Sequence, residues 1–514
     1  MRSGVKRAAA RCSAEVPALV ESPGRRCYNL YTMMNRKTGL KIWAVAFWLA
    51  VWEILSRVLD REIFLVGPVR VVMRLAELLP SGGFWASVGF SLLRITCGYL
   101  LAVILGVALA AAALKHERIR ELLAPLLTVM RSVPVASFII LALICLPSKS
   151  LSVLISFLIA MPVIYGNAYA GLESADPKLL EMTKVFGARP GNVRRAVYIP
   201  ALYPYLASAC RTAIGMAWKA GTAAEVIGIP RGSIGEKLQQ AKIYLETPDL
   251  FAWTLVIILL SAATEKVFRL ILDRGFGRLA RISEPAGTAV HSGRVERAVF
   301  AIKAENLSKT YGGSKVIDGF THVFPAGSVT AIMAPSGAGK TTLLRLIAGL
   351  EEPDPAEDGE PVASGGKAGT ESVAGKQPRG SVSGTDKCRI SMVFQEDRLC
   401  EELDAVSNVM LARNDMGRAE AEALLAELGL GGDPDKKLSE YSGGMKRRVA
   451  IARALAADYG LLLLDEPFKG LDGELKALCA EKILESAAGK TVILVTHDSA
   501  EAELMNCGEV ISLC

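Results

Sequence analysis

The sequence predicts a multidomain chain, in which an all-α domain of six membrane-crossing helices precedes an α/β domain. Three observations carry this expectation. Long apolar runs recur before residue 275 and stop there, and a bilayer crossing requires about 20 mainly apolar residues. From Val299 onward, short β-branched stretches alternate with helical ones, the order from which parallel sheets are built. A strand, a glycine-rich turn and a helix then follow one another over residues 329–348, an arrangement that binds phosphate groups.

The composition agrees with this division. A chain of 514 residues exceeds one hydrophobic core, and a mean hydropathy of +0.33 is high for a wholly soluble protein. The net charge of +7 lies mostly beside apolar segments, which fits membrane topology and argues against a nucleic-acid partner. The ten cysteines form no C-x-x-C pair and only four histidines are present, so neither a zinc site nor a disulfide framework is expected. Residues 1–40 form a basic tail. No small-residue cleavage site follows the first apolar run, which argues against a signal peptide, and Met33 or Met34 offers an alternative start.

The expected spans are 42–59, 86–114, 122–146, 149–172, 202–228 and 249–272, within a domain of residues 41–274. Arg36, Lys37 and Lys41 before the first span, Lys115, Arg118 and Arg120 after the second, and Arg274, Arg278 and Arg281 after the sixth place both ends of the domain in the cytoplasm. Arg61, Arg70 and Arg74 in the first external loop depart from that rule. Ionisable residues inside spans cost at least ~2.5 kcal/mol each and are functional candidates. Lys219 and Glu225, counted from Pro200, fall near the outer face, where interfacial anchoring and a role at an outer gate are both open. Glu53 and Arg94 are equally ambiguous.

Residues 275–297 gain Gly, Pro, Ser and Arg and read as a linker to an α/β domain of residues 298–514. Residues 352–387, rich in Gly, Ser, Pro, Glu and Lys, read as a surface insertion without fixed structure. The strand Val329–Met333 leads into Ala334, Pro335, Ser336, Gly337, Ala338, Gly339, Lys340, Thr341 and Thr342, a phosphate-binding P-loop. Its backbone N–H groups and helix N-terminus suit an anion. Lys340 is expected to reach the β and γ phosphates and Thr341 to hold Mg²⁺. Ala334 stands where the motif has its first glycine, and a methyl group is tolerated there only at negative φ.

Leu461–Leu464 is an apolar strand ending in Asp465 and Glu466. A strand of that kind suits the middle of a parallel sheet, so the acids emerge beside the P-loop, Asp465 to support Mg²⁺ and Glu466 to polarise water. The strand Thr491–Thr496 sets His497 at the same edge. Ser442, Gly443 and Gly444 open a helix carrying Lys446, Arg447 and Arg448, a second anion-binding element that makes sense if it serves a partner's nucleotide.

This ordered set resembles the ATP-binding cassette (ABC) family, whose α/β P-loop NTPase domain would cover residues 299–514. The resemblance implies that Tyr311 stacks on adenine, that Gln395 contacts Mg²⁺ and the permease, and that Gly470, Leu471 and Asp472 form a dimer-contacting loop. Tyr441 to Met445 resembles the signature L-S-G-G-Q, with Tyr441 and Met445 departing from it. On the membrane side, Glu181, Gly187 and Pro200 match the coupling loop of binding-protein-dependent permeases, a helix, a glycine turn and a second helix, with Met182 and Thr183 in place of two alanines. The membrane half resembles importers of nitrate, taurine, aliphatic sulfonates and pyrimidine precursors. The implied protein is a homodimeric half-transporter of the plasma membrane with a cytoplasmic ATPase, fed by an extracytoplasmic binding protein and driven by ATP and Mg²⁺. Two rivals are an exporter half-transporter, against which the importer-type coupling loop stands, and a nucleotide-gated sensor with little turnover, which Ala334, Tyr441 and Met445 permit.

Overall fold

The computed structural model describes residues 42–59, 63–279, 300–335, 337–355, 380–432 and 436–513, without the side chains of 277–279. The basic tail and most of the expected linker lie outside them. The chain forms two compact units. One comprises the residues up to Ser174 together with Ala201–Gly275; the other joins Ala175–Pro200 to Phe276–Cys514.

The first unit is all helical: α1 (Ile42–Leu59), α2 (Pro68–Leu78), α3 (Gly82–Lys115), α4 (Glu117–Ser132), α5 (Val135–Cys145) and α6 (Ser148–Glu173). The second unit opens with α7 (Pro177–Val185), α8 (Pro190–Val193) and a π-helical turn (Arg194–Tyr198). The chain then runs through α9 (Ile199–Gly228), α10 (Ile234–Ile243) and α11 (Thr247–Leu279). By length and composition α1, α3 and α6 are long and apolar enough to cross a membrane, and the α4–α5 pair adds a fourth if it is one span. Helices α9 and α11, of 30 and 33 residues, also exceed the required length.

Helices α3, α6 and α9 meet at small residues. A Cβ on Gly98 would stand 2.3 Å from the Val153 carbonyl, and one on Gly221 2.4 Å from the Ser156 hydroxyl. Close backbone approach is how helices associate where no hydrophobic effect drives them together. The Ser156 hydroxyl donates to the Ala217 carbonyl at 3.1 Å, and the Trp218 indole donates to Thr264 at 2.9 Å.

Four sequence expectations are corrected here. The span 122–146 is a pair of helices bent by 107°, because Val133, ahead of Pro134, is extended. The linker does not begin at 275, since α11 continues to Leu279. Glu225 is fully buried rather than an interfacial anchor. It accepts hydrogen bonds from the Ser91 hydroxyl at 2.6 Å and the Gly235 N–H at 3.4 Å, which fasten the start of α10 to the helix core. The insertion 352–387 has ordered ends, for the reason given below.

The α/β part contains β1 (Ile302–Tyr311), β2 (Ser314–Phe324), β3 (Val329–Met333), α12 (Lys340–Ile347), β4 (Ser381–Ser383) and β5 (Ile390–Val393). There follow α13 (Ala405–Met410), α14 (Arg418–Glu427), α15 (Gly443–Ala456), β6 (Leu461–Asp465), α16 (Gly473–Ser486), β7 (Thr491–Thr496), α17 (Ser499–Leu504) and β8 (Glu509–Ser512). An antiparallel sheet has the order β2-β1-β4, and a parallel sheet the order β5-β6-β7-β3-β8. Strands β6 and β7 are buried along their whole length, as apolar runs in a two-sided sheet must be. Strand β4 closes the insertion because Gly380 lies where a Cβ would stand 2.2 Å from the Asn306 carbonyl. Residues 356–379, the body of the expected insertion, lie outside the described residues.

Candidate functional site

The C-terminal edge of the parallel sheet gathers the chemistry-bearing residues, as expected where strands end and helices begin. In the P-loop after β3, Gly337 and Gly339 hold φ of +90° and +83°. Ala334 is not among the residues of positive φ, so its methyl group causes no backbone strain. Ser336 lies outside the described residues. The Lys340 ammonium is nearly buried and donates to the carbonyls of Ala334 and Pro335. Ala338 closes the turn by donating its N–H to the Pro335 carbonyl at 3.3 Å.

The Thr341 hydroxyl donates to Asp465 Oδ2 at 2.9 Å. With Gln395 these two residues line one open cleft, which also receives Lys178, Arg345 and Arg398. Burial pushes the Asp465 carboxyl above its ordinary range, against the pull of Thr341, Arg447 and Lys340. Hydroxyl, amide oxygen and carboxylate form an oxygen donor set of the kind that suits Mg²⁺ together with phosphate oxygens.

Glu466 sits at φ +46°, a left-handed conformation that costs a non-glycine residue roughly 1–3 kcal/mol. Its side chain is 12% exposed, with one oxygen 3.4 Å from His497 Nδ1. Arg447 holds this edge together. Fully enclosed, it donates to the carbonyls of Phe394 at 2.6 Å, Asp465 at 2.8 Å and Pro467 at 2.9 Å. The sequence reading placed Arg447 and Arg448 in an anion-binding element; both are instead buried, Arg448 on the carbonyls of Leu428 and Gly429. Their burial has no periodic signature, because it depends on loops distant in sequence.

Ser442 caps α15, its hydroxyl accepting from the Met445 N–H at 3.3 Å. Gly443 is open, and a Cβ on Gly444 would stand 3.2 Å from the Gly470 carbonyl, so the two glycine loops touch within one chain. Asp472 caps α16 through the Leu475 N–H at 2.9 Å. Tyr311 ends β1 with its phenol donating to Glu351. Thr342 lies beside that phenol, and burial raises its pKa above the ordinary range.

Glu181, Gly187 and Pro200 belong to the same unit as the ATPase-like sheet. Glu181, on α7, accepts from Arg345 of α12 at 3.0 and 3.1 Å and from Arg398 at 2.8 Å. The Arg345 guanidinium, followed by Arg398, holds the Glu181 carboxyl below its ordinary range despite partial burial. Gly187 turns the chain at φ +60°, and its carbonyl accepts from Asn414 at 3.3 Å. Phe186 lies under the guanidinium of Arg453 at 5.3 Å. Arg453 is wholly buried on the carbonyls of Asp397 and Arg398, and burial lowers its pKa to about 10. Arg345, Arg398 and Arg453 were missed in the sequence; a spacing of five residues from Lys340 to Arg345 was the available signal for the first.

Residues 317–469 match the family model described as ABC transporter, and residues 102–276 match the binding-protein-dependent transport system inner membrane component. The aliphatic sulfonates import ATP-binding protein of Rhizobium johnstonii is 37% identical over 227 residues, 43% of this chain and 76% of that protein. An Fe(3+) ions import ATP-binding protein of Rhodococcus jostii is 37% identical over 211 residues, 40% of this chain and 57% of its own length. The sulfate/thiosulfate import ATP-binding protein of Mycobacterium tuberculosis is 37% identical over 220 residues, 40% of this chain and 56% of its own length. The chain thus spans a little over half of these last two relatives. A solved dimeric bacterial ABC transporter cassette is 28% identical, with 41% of this chain and 94% of that one covered at a TM-score of 0.33. With a permease and its ATPase in one polypeptide, the chain belongs to the ABC transporters, as an importer of the permease–ATPase fusion type.

Proposed function

We propose that the chain works as a homodimeric half-importer, in which ATP bound between the P-loop of one copy and Ser442, Gly443 and Gly444 of the other drives a small solute inward. The observation that carries this reading is Glu181, a permease-side residue gripped by Arg345 of the P-loop helix and by Arg398 beside Gln395. Whatever moves at the phosphates is thereby transmitted to the segment joining α6 and α9. Mg²⁺, held by Thr341, Asp465 and Gln395, would neutralise phosphate charge. Glu466 would take a proton from the attacking water, and His497, 3.4 Å away, would orient it. Tyr311 would stack on adenine, with Lys340 and the backbone of Gly337 to Thr342 around the phosphates.

In this reading the domains are the permease, from residue 41 to the end of α11 at Leu279, the coupling loop of 181–200 and the ATPase of 298–514, with the ATPase cytoplasmic and a solute-binding protein outside. The solute is a sulfonate, taurine, nitrate or a pyrimidine precursor, and the sulfonate-importing relative favours the first. The test is ATP hydrolysis by the full chain in lipid nanodiscs, with binding proteins loaded with sulfonate, nitrate or pyrimidine ligands and with Glu466→Gln as control. Stimulation by one loaded partner, absent in the control, is expected. Tight ATP binding without turnover under any loading would instead establish the nucleotide-gated sensor, which the substitutions Tyr441 and Met445 in the signature favour.

A further inference from the structure

Tyr311 and Glu181 stand at the two ends of one row of side-chain contacts within a single compact unit. At one end the Tyr311 phenol donates to Glu351 Oε2, while the residue stays 45% exposed at the end of β1. The other oxygen of Glu351, Oε1, accepts from Arg345 Nε. The two remaining nitrogens of that guanidinium, Nη1 and Nη2, donate to Glu181 of α7 at 3.1 and 3.0 Å. Each oxygen of Glu351 and each nitrogen of Arg345 thus has its own partner. Because the guanidinium is a rigid planar fork, it cannot turn on one carboxylate without turning on the other.

The backbone around Glu351 is fixed by other groups. Gly349, at φ +65°, turns the chain out of α12, and the N–H groups of Leu350 and Glu351 donate to the Arg345 carbonyl at 2.9 and 3.4 Å. Further on, the Asp354 N–H donates to the Ser308 carbonyl at 2.9 Å, and Asp354 Oδ2 accepts from the Thr310 N–H at 2.6 Å, which fastens the segment to β1. The Glu351 carboxylate is not needed for that fastening. What it adds is the contact that runs from the exposed ring to Arg345.

We propose that Glu351 is a positioning residue that reports an occupied base site to the coupling loop. Adenine stacked on Tyr311 immobilises the ring, the phenol fixes Glu351, Glu351 fixes Arg345, and Arg345 steadies Glu181 on α7. This rests on the reading of Tyr311 as the adenine platform, and it adds a signal of a different kind. Thr341, Asp465 and Glu466 answer to the phosphates, which change during the cycle. The base is the same in ATP and ADP, so the row through Glu351 answers to occupancy, keeps the coupling loop engaged after hydrolysis and slackens when the site empties.

ADP with Mg²⁺ separates the two signals, since it carries the base without the γ phosphate. The measurement is amide hydrogen exchange over residues 177–187 of the full chain in nanodiscs, with and without saturating ADP. In the wild-type chain ADP is expected to slow exchange there roughly 3-fold, in the range that one partly exposed ion pair is worth. Tyr311→Phe keeps the ring and removes the phenol, so it should bind ADP as the wild type does and lose the slowing. Glu351→Ala should lose it as well. Asp354→Ala loosens the same segment without touching the phenol or Arg345 and should keep it, whereas a merely structural role for Glu351 would make these two variants behave alike. Slowing that survives in Tyr311→Phe and Glu351→Ala would overturn the proposal, as would its absence from the wild-type chain at saturation. ADP binding indifferent to Tyr311→Ala would overturn it too, by removing the base from the ring. Neither turnover nor a binding protein is needed, so failure here is distinct from failure of the importer reading, which would be seen as no stimulation under any loading.

Discussion

Glu466 occupies a left-handed backbone conformation immediately after a strand whose every residue is buried. The surroundings hold it there: its N–H donates to the Val495 carbonyl at 2.9 Å, and Arg447 grips the carbonyls on either side. Replacing Glu466 by glycine relieves the conformation, replacing it by glutamine does not, and both remove the carboxylate. Both variants are expected to lose ATP hydrolysis, with Glu466→Gly up to ~1 kcal/mol more stable than Glu466→Gln in thermal melting, glycine's freedom in the unfolded chain offsetting part of the gain. Arg447→Met should cost ~3 kcal/mol or more, because several buried carbonyls lose their donor at once; the melting transition of the ATPase part reads this directly. Asp465, Glu466 and Lys340 were legible in the sequence because each stands at a fixed offset from an apolar strand or a glycine turn. Arg447 and Glu225 were not, since an arginine that satisfies carbonyls and a glutamate sealed by Ser91 are polar letters without a period, and only the tertiary arrangement decides that they are buried.

At the scale of the element, α7 and its glycine turn are held by charge as well as by the burial of Met182 and Phe186. Glu181 is shared between Arg345 and Arg398, Lys178 pairs with Glu396 at 2.5 Å, and Asn414 closes on the turn. Glu181→Gln, which keeps the shape and removes the charge, is expected to leave basal ATP hydrolysis in place and abolish its stimulation by a loaded binding protein, measured as the ratio of the two rates. The acid limit has a definite sign. The Glu181 carboxyl is held below its ordinary pKa, so its contribution is complete above that ordinary value, near 4.3, and is lost as pH falls through the lowered one. The stimulation ratio should therefore be flat from pH 7 to about pH 5 as far as this contact is concerned. The helix–turn–helix of this segment was readable from Gly187 and Pro200, and three of the six expected spans from their apolar length. The break at Val133–Pro134, the short helices α2 and α10 and the strand β4 were not, because 11-, 10- and 3-residue elements carry too little pattern to be separated from loops.

In the proposed homodimer each copy holds one P-loop and one Ser442 helix start, so a head-to-tail pair would build two composite sites, each with parts from both copies. Lys340→Ala and Ser442→Arg should each abolish hydrolysis alone. Mixed dimers of the two carry one site with both parts intact and one with both broken, so co-assembly is expected to restore about a quarter of wild-type turnover, half of the dimers with half of their sites. No recovery would count against sites shared between copies. The grouping of Ala175–Pro200 with the ATPase has a consequence for assembly. When two such parts are separate polypeptides, their docking follows mass action and is weakened by dilution. Here one polypeptide carries both, so the docking of these two parts on each other does not depend on expression level, although the pairing of two copies still does. Weakening the Glu181 contacts would then yield an enzyme that idles, consuming ATP with its two halves still attached, rather than one that falls apart.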